Sequence, residues 1–277
     1  MIQDIFPHRF ENHYHQDQLP TGNDYILHFD NNTVLLKTEG DKQVVPTRKD
    51  ISNLNNSGTE IYLFSIDETA CFLIEDNFPF DASVFSYQPV NVFRTMKNSE
   101  HAWMILVGFH LSNWYAQNRF CGKCGSPTQH KSDERAMMCT SCGNLIFPRI
   151  SPAVIVAITS GDKILLASNN GFVGGWYSLI AGYVDVGETL EETVRREIME
   201  EVGIRVSNIR YYKSQPWGLS GSMMVGFTAE ADDTQPLVVD NSELAEADWF
   251  TRGNLPNHAL PISIAGEMIE LFEKGEL

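Results

Sequence analysis

"TLEETVRREIMEEVG", residues 189–203, decides how the C-terminal half of this chain is read. Thr189 followed three residues later by Glu192 makes a capping box, and Gly203 stands where a left-handed C-terminal cap belongs, so the spacing predicts a helix between them. On that helix Glu197, Glu200 and Glu201 fall at i, i+3 and i+4, where like charges repel by a few tenths of a kcal/mol per pair. At about 100° per residue, Leu190, Val194, Ile198 and Val202 form an apolar stripe. Glu201 falls between Leu190 and Val194, and Glu197 lies just outside Leu190. A glutamate-rich helix is usually a solvated face, but these carboxylates border the buried one and would incur desolvation and mutual repulsion together. A divalent cation removes both penalties, since hard Mg²⁺ or Mn²⁺ prefers carboxylate oxygens and keeps waters that a phosphate can displace. Arg196 helps to hold the cluster by ion pairing.

Extended to 182–204, "GYVDVGETLEETVRREIMEEVGI" resembles the Nudix box, G-x5-E-x7-R-E-U-x-E-E-x-G-U with U a bulky aliphatic. Gly182, Glu188, Arg196, Glu197, Glu200, Glu201 and Gly203 occupy the seven fixed positions, with Ile198 and Ile204 at positions of type U. The resemblance implies metal-dependent hydrolysis of a nucleoside diphosphate linked to another moiety. It assigns Glu197, Glu200 and Glu201 to the metal, with Glu188 assisting and Arg196 orienting the glutamates, and one glutamate as general base.

Upstream, "CGKC" (121–124) and "CTSC" (139–142) give two C-x2-C pairs. Each short loop supplies two thiolates, and the pairs close over one tetrahedral zinc. Gly122, Gly125 and Gly143 fit the tight turns around the sulfurs. Cys121, Cys124, Cys139 and Cys142 leave no open position, so the expected zinc is structural. The alternative, two disulfides, suits an exported chain. "MIQDIFPHRFENHYH" lacks the basic-then-apolar pattern of a signal peptide, no apolar run approaches bilayer length, and a cytoplasmic, non-membrane protein is expected. Cys71 in "CFLI" reads as a small core residue.

The chain has 277 residues, 43% of them hydrophobic, with 20 Lys+Arg against 36 Asp+Glu for a net charge of −16. Broad electrostatic binding to nucleic acid is thereby disfavoured, and phosphate chemistry needs a cation as go-between. A local exception is the basic island of Arg119, Lys123, Lys131, Arg135 and Arg149. "YILHF" (25–29) and "VLLK" (34–37) predict one hairpin around "DNNT", while "IYLFSI" (61–66) and "CFLI" (71–74) repeat the pattern. "SEHAWMILVGFHLSNWYA", from Ser99, predicts a buried helix hydrophobic all round. Further on, "PAVIVAI" (152–158) with "KILLA" (163–167) predicts a hairpin, "VSNIRYY" and "SMMVGFTAEA" predict strands, and "ISIAGEMIELFEK" (262–274) predicts a terminal amphipathic helix. The organisation expected is α+β: an N-terminal β-rich domain over 1–118, a zinc ribbon over 119–148 and, over 149–277, a Nudix domain. By resemblance the Nudix domain is an α/β/α sandwich with a mixed sheet.

A four-cysteine ribbon directly before a Nudix domain resembles the NADH pyrophosphatase subfamily, and "SQPWGLSGSMM" (214–224) is similar to its S-Q-P-W-P-F-P-x-S-L-M signature. Ser214, Gln215, Pro216, Trp217, Ser222 and Met224 match, whereas Gly218, Leu219 and Ser220 replace Pro-Phe-Pro. The resemblance makes Gln215, Trp217, Ser222 and Met224 substrate-binding, adds Phe147 and Tyr183 as stacking surfaces for a flat base, and gives Glu243 a supporting role at the metal. The implied reaction is hydrolysis of NADH or NAD⁺ to nicotinamide mononucleotide and AMP, in a homodimer whose Trp217 loop completes the partner's pocket. Removal of NAD caps from RNA is a further implied activity, with the basic island as the surface for RNA. The alternatives are hydrolysis of ADP-ribose, dinucleoside polyphosphates or another nucleotide derivative, and a non-catalytic nucleotide sensor or RNA-binding module.

Overall fold

The computed structural model describes residues 1–15, 17–51, 60–171 and 175–277. The chain forms two compact units, one of residues 2–149 with 218–220, the other of Met1 with 150–217 and 221–277.

In the N-terminal unit the strands are β1 (Phe10–Glu11), β2 (Tyr25–Leu27), β3 (Phe29–Asp30), β4 (Thr33–Glu39), β5 (Lys42–Val44), β6 (Glu60–Ile66), β7 (Thr69–Ile74) and β8 (Phe85–Pro89). They are followed by helix α1 (Ser99–Gln117) and the ribbon strands β9 (Thr128–His130), β10 (Met137–Cys139) and β11 (Leu145–Ile146). Two four-stranded sheets result, one ordered β1-β6-β7-β2, the other β3-β4-β5 with β8 also on β4; β9 to β11 make a third. The β6–β7 hairpin is as predicted. The hairpin predicted for 25–37 is only partly formed: Phe29 and Asp30 pair with β4, but Tyr25–Leu27 leaves to run parallel with β7. Ile26 and Leu27 are both fully buried, so this segment has no face to give to water and joins an interior sheet instead. Helix α1 is buried on most sides, as its unbroken hydrophobicity predicts. At Gly108 an added Cβ would overlap Leu27 Cδ1 and lie 3.5 Å from Phe29 Cζ, so a larger residue here would require Leu27 to shift.

The C-terminal unit runs β12 (Ser151–Ser160), β13 (Lys163–Asn169), β14 (Ile180–Tyr183), α2 (Leu190–Val202), β15 (Ser207–Trp217), β16 (Ser222–Glu230), β17 (Leu244–Thr251) and α3 (Ile264–Lys274). Its sheet is ordered β15-β16-β12-β13-β17 with β14 also on β12. It is mixed, because β12 and β16 pair in parallel. Alternation along β12 divides the core: Val154, Val156 and Ile158 pack with Val194, Ile198 and Val202 of α2, while Ile155 and Ala157 pack with Ile264, Met268 and Phe272 of α3. This is the expected α/β/α sandwich. β17 is an addition: "LAEADWFT" alternates small and acidic residues and carries little apolar strand signal, yet it pairs with β13 along its length. No helix among the described residues is long and apolar enough to cross a membrane.

Candidate active site

Helix α2 is built as its sequence predicts. The Thr189 hydroxyl accepts from Glu192 N at 3.2 Å, and the Glu192 carboxylate accepts from Thr189 N at 2.8 Å. Gly203 ends the helix at φ 72° and donates to Ile198 O. The last carbonyls are satisfied by a returning segment, with Val238 N donating to Val202 O and Asp240 N to Glu201 O, both at 2.9 Å. That return brings Asp240 and Glu243 to the same end of the helix.

Val194, Ile198 and Val202 are fully buried, and the same packing carries Glu201 inward to 6% exposure. Burial is the main reason its carboxyl is pushed up to about 8, and the charges of Glu197, Glu243, Asp240 and Glu200 add to the shift. Glu197 is also raised by burial, against the opposing pull of Arg196. Its carboxylate lies on Gly182, where an added Cβ would overlap it, so the first glycine of the box is a close approach for an acid.

Arg196 is the hub of the cluster. Its Nε and Nη2 grip Glu188 at 2.6 and 2.9 Å, Nη1 reaches Glu197 at 2.7 Å and Glu200 at 3.0 Å, and Nη2 donates to Tyr183 O at 2.9 Å. Glu188 also accepts from the Thr193 hydroxyl and from Asp185 N. The guanidinium is the largest cause holding the Glu188 carboxyl down at about 2. One cation therefore serves Glu188, Glu197 and Glu200, and Arg196 makes no ion pair with Glu201. Glu197, Glu200, Glu201 and Glu243 bring mutually repelling carboxylates to one region, oxygen donors of the hard kind that suits a divalent cation. Asp240, which sequence reasoning missed, belongs to this electrostatic surround; its only signal was its place three residues before Glu243.

The ribbon presents the other donor set. Sγ atoms of Cys121, Cys124, Cys139 and Cys142 all lie within 4.8 Å of one another, the one such group among the described residues. Cys124 and Cys139 are 3.4 Å apart, Cys121 and Cys142 3.8 Å. Lys123 N donates to Cys121 Sγ, and Ser141 N and Cys142 N to Cys139 Sγ, each at 3.4 Å. The Cys124 thiol is brought down to about 6, first by the N–H and hydroxyl of Ser126. Four sulfurs in this closed arrangement fit a structural zinc.

The basic island is partly neutralised: Arg119, Lys123 and Arg149 are exposed, but some of its charges are paired or turned inward. Arg119 pairs with Glu75 at 3.6 Å, and Lys131 with Asp133 and Glu134. Arg135 turns inward, donating to Leu63 O and to Asn12 Oδ1, with its guanidinium over the Tyr14 ring. Arg119 and Lys131 form ion pairs and Arg135 is hydrogen-bonded, whereas the side chains of Lys123 and Arg149 have no ion pair or hydrogen bond among the described residues. Spacing along the chain could not reveal this, because the partners of Arg119 and Arg135 come from distant parts of the chain.

The residues expected to bind substrate fall into three places. Tyr183 is 53% exposed at the end of β14, beside the Arg196 contact to its carbonyl. Phe147 is 52% exposed and belongs to the N-terminal unit. Gln215 pairs across the β15–β16 hairpin with Met224, and Trp217 with Ser222, so alternation puts these four on one face. Met224 packs with the α3 cluster and its neighbour Val225 with the α2 cluster. That face is therefore separated by the sheet from the glutamates of the same chain. Gln215 itself is closed to solvent: its Nε2 donates to Ile262 O at 3.0 Å and its Oε1 accepts from Ile264 N at 2.7 Å. It holds the start of α3 and offers no polar surface to a ligand.

A mixed sheet between two helices, one of them carrying glutamates around an arginine with a further, buried glutamate beside them, defines a hydrolase domain of the Nudix class. Residues 149–272 match the model of the NUDIX domain, and residues 116–147 that of the NADH pyrophosphatase zinc ribbon domain. A NUDIX hydrolase from Nitrosomonas europaea has the same fold, with a TM-score of 0.50 at 21% identity over 56% of this chain and 90% of that one. The chain is 44% identical over 163 residues to the NAD-capped RNA hydrolase NudC of Klebsiella pneumoniae (strain 342), covering 59% of this chain and 63% of that protein. It is 36% identical over 215 residues to the NudC of Pseudomonas aeruginosa (strain LESB58), covering 78% of this chain and 73% of that protein. The match thus spans a little under two thirds of the Klebsiella relative's length. The chain belongs to the NudC family of Nudix proteins.

Proposed function

We propose that this protein hydrolyses the diphosphate of NADH or NAD⁺, free or as the cap of an RNA, to nicotinamide mononucleotide and AMP or the corresponding RNA 5′ end. The observation that carries the reading is the glutamate cluster of α2, in which Arg196 serves Glu188, Glu197 and Glu200 while the buried Glu201 is left to the repulsion of its neighbours. Glu197, Glu200, Glu201 and Glu243 are the residues to hold it. A bound Mg²⁺ or Mn²⁺ supplies charge neutralisation at the diphosphate and activation of the attacking water. Arg196 keeps Glu188 ionised and fixes Glu197 and Glu200 in place, while Gly182 gives the Glu197 carboxylate room. Tyr183, exposed next to this cluster, offers a face for a flat base.

The separation of Trp217 from the glutamates by the sheet supports the homodimer: a second copy can bring its Trp217 loop to the glutamates, which its own chain does not do. The internal pairing of Arg119, Lys131 and Arg135 argues against the basic island as an RNA track, so an NAD-capped RNA would be recognised chiefly through its cap. Reduced thiolates at the ribbon suit a cytoplasmic setting. Purified protein incubated with Mn²⁺ and NADH, NAD⁺, NAD-capped RNA, ADP-ribose and Ap4A, with products separated, tests the reading. NADH, NAD⁺ or the capped RNA should be cleaved fastest. Equal turnover of ADP-ribose would replace the substrate, and no turnover of any of the five would return the chain to a nucleotide-sensing role.

A further inference from the structure

Between β15 and β16 the chain crosses a tip, Gly218-Leu219-Ser220, that is grouped with the N-terminal unit although the strands on either side are not. Gly218 is buried. A Cβ added to it would overlap the carbonyl oxygen of Leu106, and would stand 2.9 Å from that carbonyl's carbon and 3.2 Å from Leu106 Cγ. The obstacle is helix backbone and not the end of a flexible side chain. This part of α1 is itself closely packed, with Ile105 and Leu106 fully buried and Gly108 against Leu27. Gly218 is not in the left-handed region, so the need for glycine here is one of space alone.

We propose that Gly218 is a positioning residue: it lets the hairpin tip seat on the backbone of α1 and so fixes the preceding Trp217 for dinucleotide binding. The part that concerns binding rests on the substrate reading above. The seat accounts for the departure of this chain from Pro-Phe-Pro in the signature it resembles, since a proline ring at 218 would meet the same carbonyl.

The test uses the full zinc-loaded protein, its Gly218→Ala variant and a second variant with one glycine inserted after Gly218, which slackens the tip without adding a Cβ. Hydrogen exchange of amides 217–221 should rise by about tenfold or more in both variants. KM for NADH should rise about tenfold while kcat stays within about twofold. Unchanged exchange in both variants overturns the seat. A loosened tip with unchanged KM, or with kcat falling at constant KM, overturns the positioning of Trp217. A wild-type protein that leaves NADH intact overturns the substrate reading and with it the effect on affinity, while the exchange measurement still judges the seat by itself.

Discussion

In the ribbon, four sulfur atoms converge within 4.8 Å on loops with little packed core of their own. On α2, the glutamates ride a helix that is capped at both ends and already packed through Val194, Ile198 and Val202. The same kind of event, a divalent ion meeting acidic ligands, therefore has opposite consequences. For the ribbon the ion takes the place of a core, and for α2 it relieves charge on a fold that stands without it.

The largest expected effect breaks the comparison outright if it fails. Removing zinc with a chelator, or replacing Cys124 by Ser, should unfold the ribbon, because the binding free energy of a structural zinc, on the order of 10 kcal/mol, is folding free energy. Hydrogen exchange should rise throughout 121–142, while withdrawing Mg²⁺ should leave exchange in α2 nearly unchanged. Equal responses to the two withdrawals would abolish the distinction. Next in size, Glu200→Gln should lower turnover by roughly a thousandfold, about 4 kcal/mol of barrier, with the melting temperature and zinc content of the wild type. A variant that also melts early would make α2 dependent on its charges for folding.

A smaller effect sharpens the electrostatic half. In the metal-free protein the Glu201 carboxyl is held up at about 8 against an ordinary value of 4.5. Below 4.5 both folded and unfolded chains carry its proton. As pH rises the unfolded chain releases it first, so the folded state loses stability progressively until pH passes 8, by an amount on the order of a few kcal/mol. Thermal melts of metal-free wild type and Glu201→Gln should therefore coincide near pH 4 and diverge up to about pH 8, the variant being the more stable. Mg²⁺ should restore the wild type more than the variant, and a difference independent of pH would refute the assignment. Smallest of the four, Arg196→Lys should lower kcat/KM by roughly tenfold, about 1.4 kcal/mol, because an ammonium cannot reproduce the fork that grips Glu188 while reaching Glu197 and Glu200. Wild-type kinetics in that variant would mean that the fork is dispensable.

What the sequence made legible follows from range along the chain. The capping box, the Gly203 cap, the cysteine pairs and the β12–β13 hairpin depend on residues a few positions apart, and each is found where spacing puts it. The burial of Glu201 was legible too, because azimuth on a helix is a local property. Features set by distant partners were not. Tyr25–Leu27 parts from Phe29 to join β7, Arg135 is drawn in by Leu63 and Asn12, and Gln215 ends beneath the start of α3. A chemically apt glutamine in a substrate signature thus proves to be a brace, which only its hydrogen bonds could reveal.

The parallel pairing of β12 with β16 has a consequence for how the chain is made. Ser151 to Thr159 find their partners at Ser222 to Glu230, so during synthesis the central strand of the C-terminal sheet emerges long before one of its neighbours exists. Until Glu230 has left the ribosome, that edge of an almost wholly apolar strand stands open, with β13 and β14 able to cover only the other. Ribosome-bound chains ending before residue 222 should accordingly hold a protease-sensitive C-terminal half and recruit chaperones, and both properties should vanish together once β16 is out.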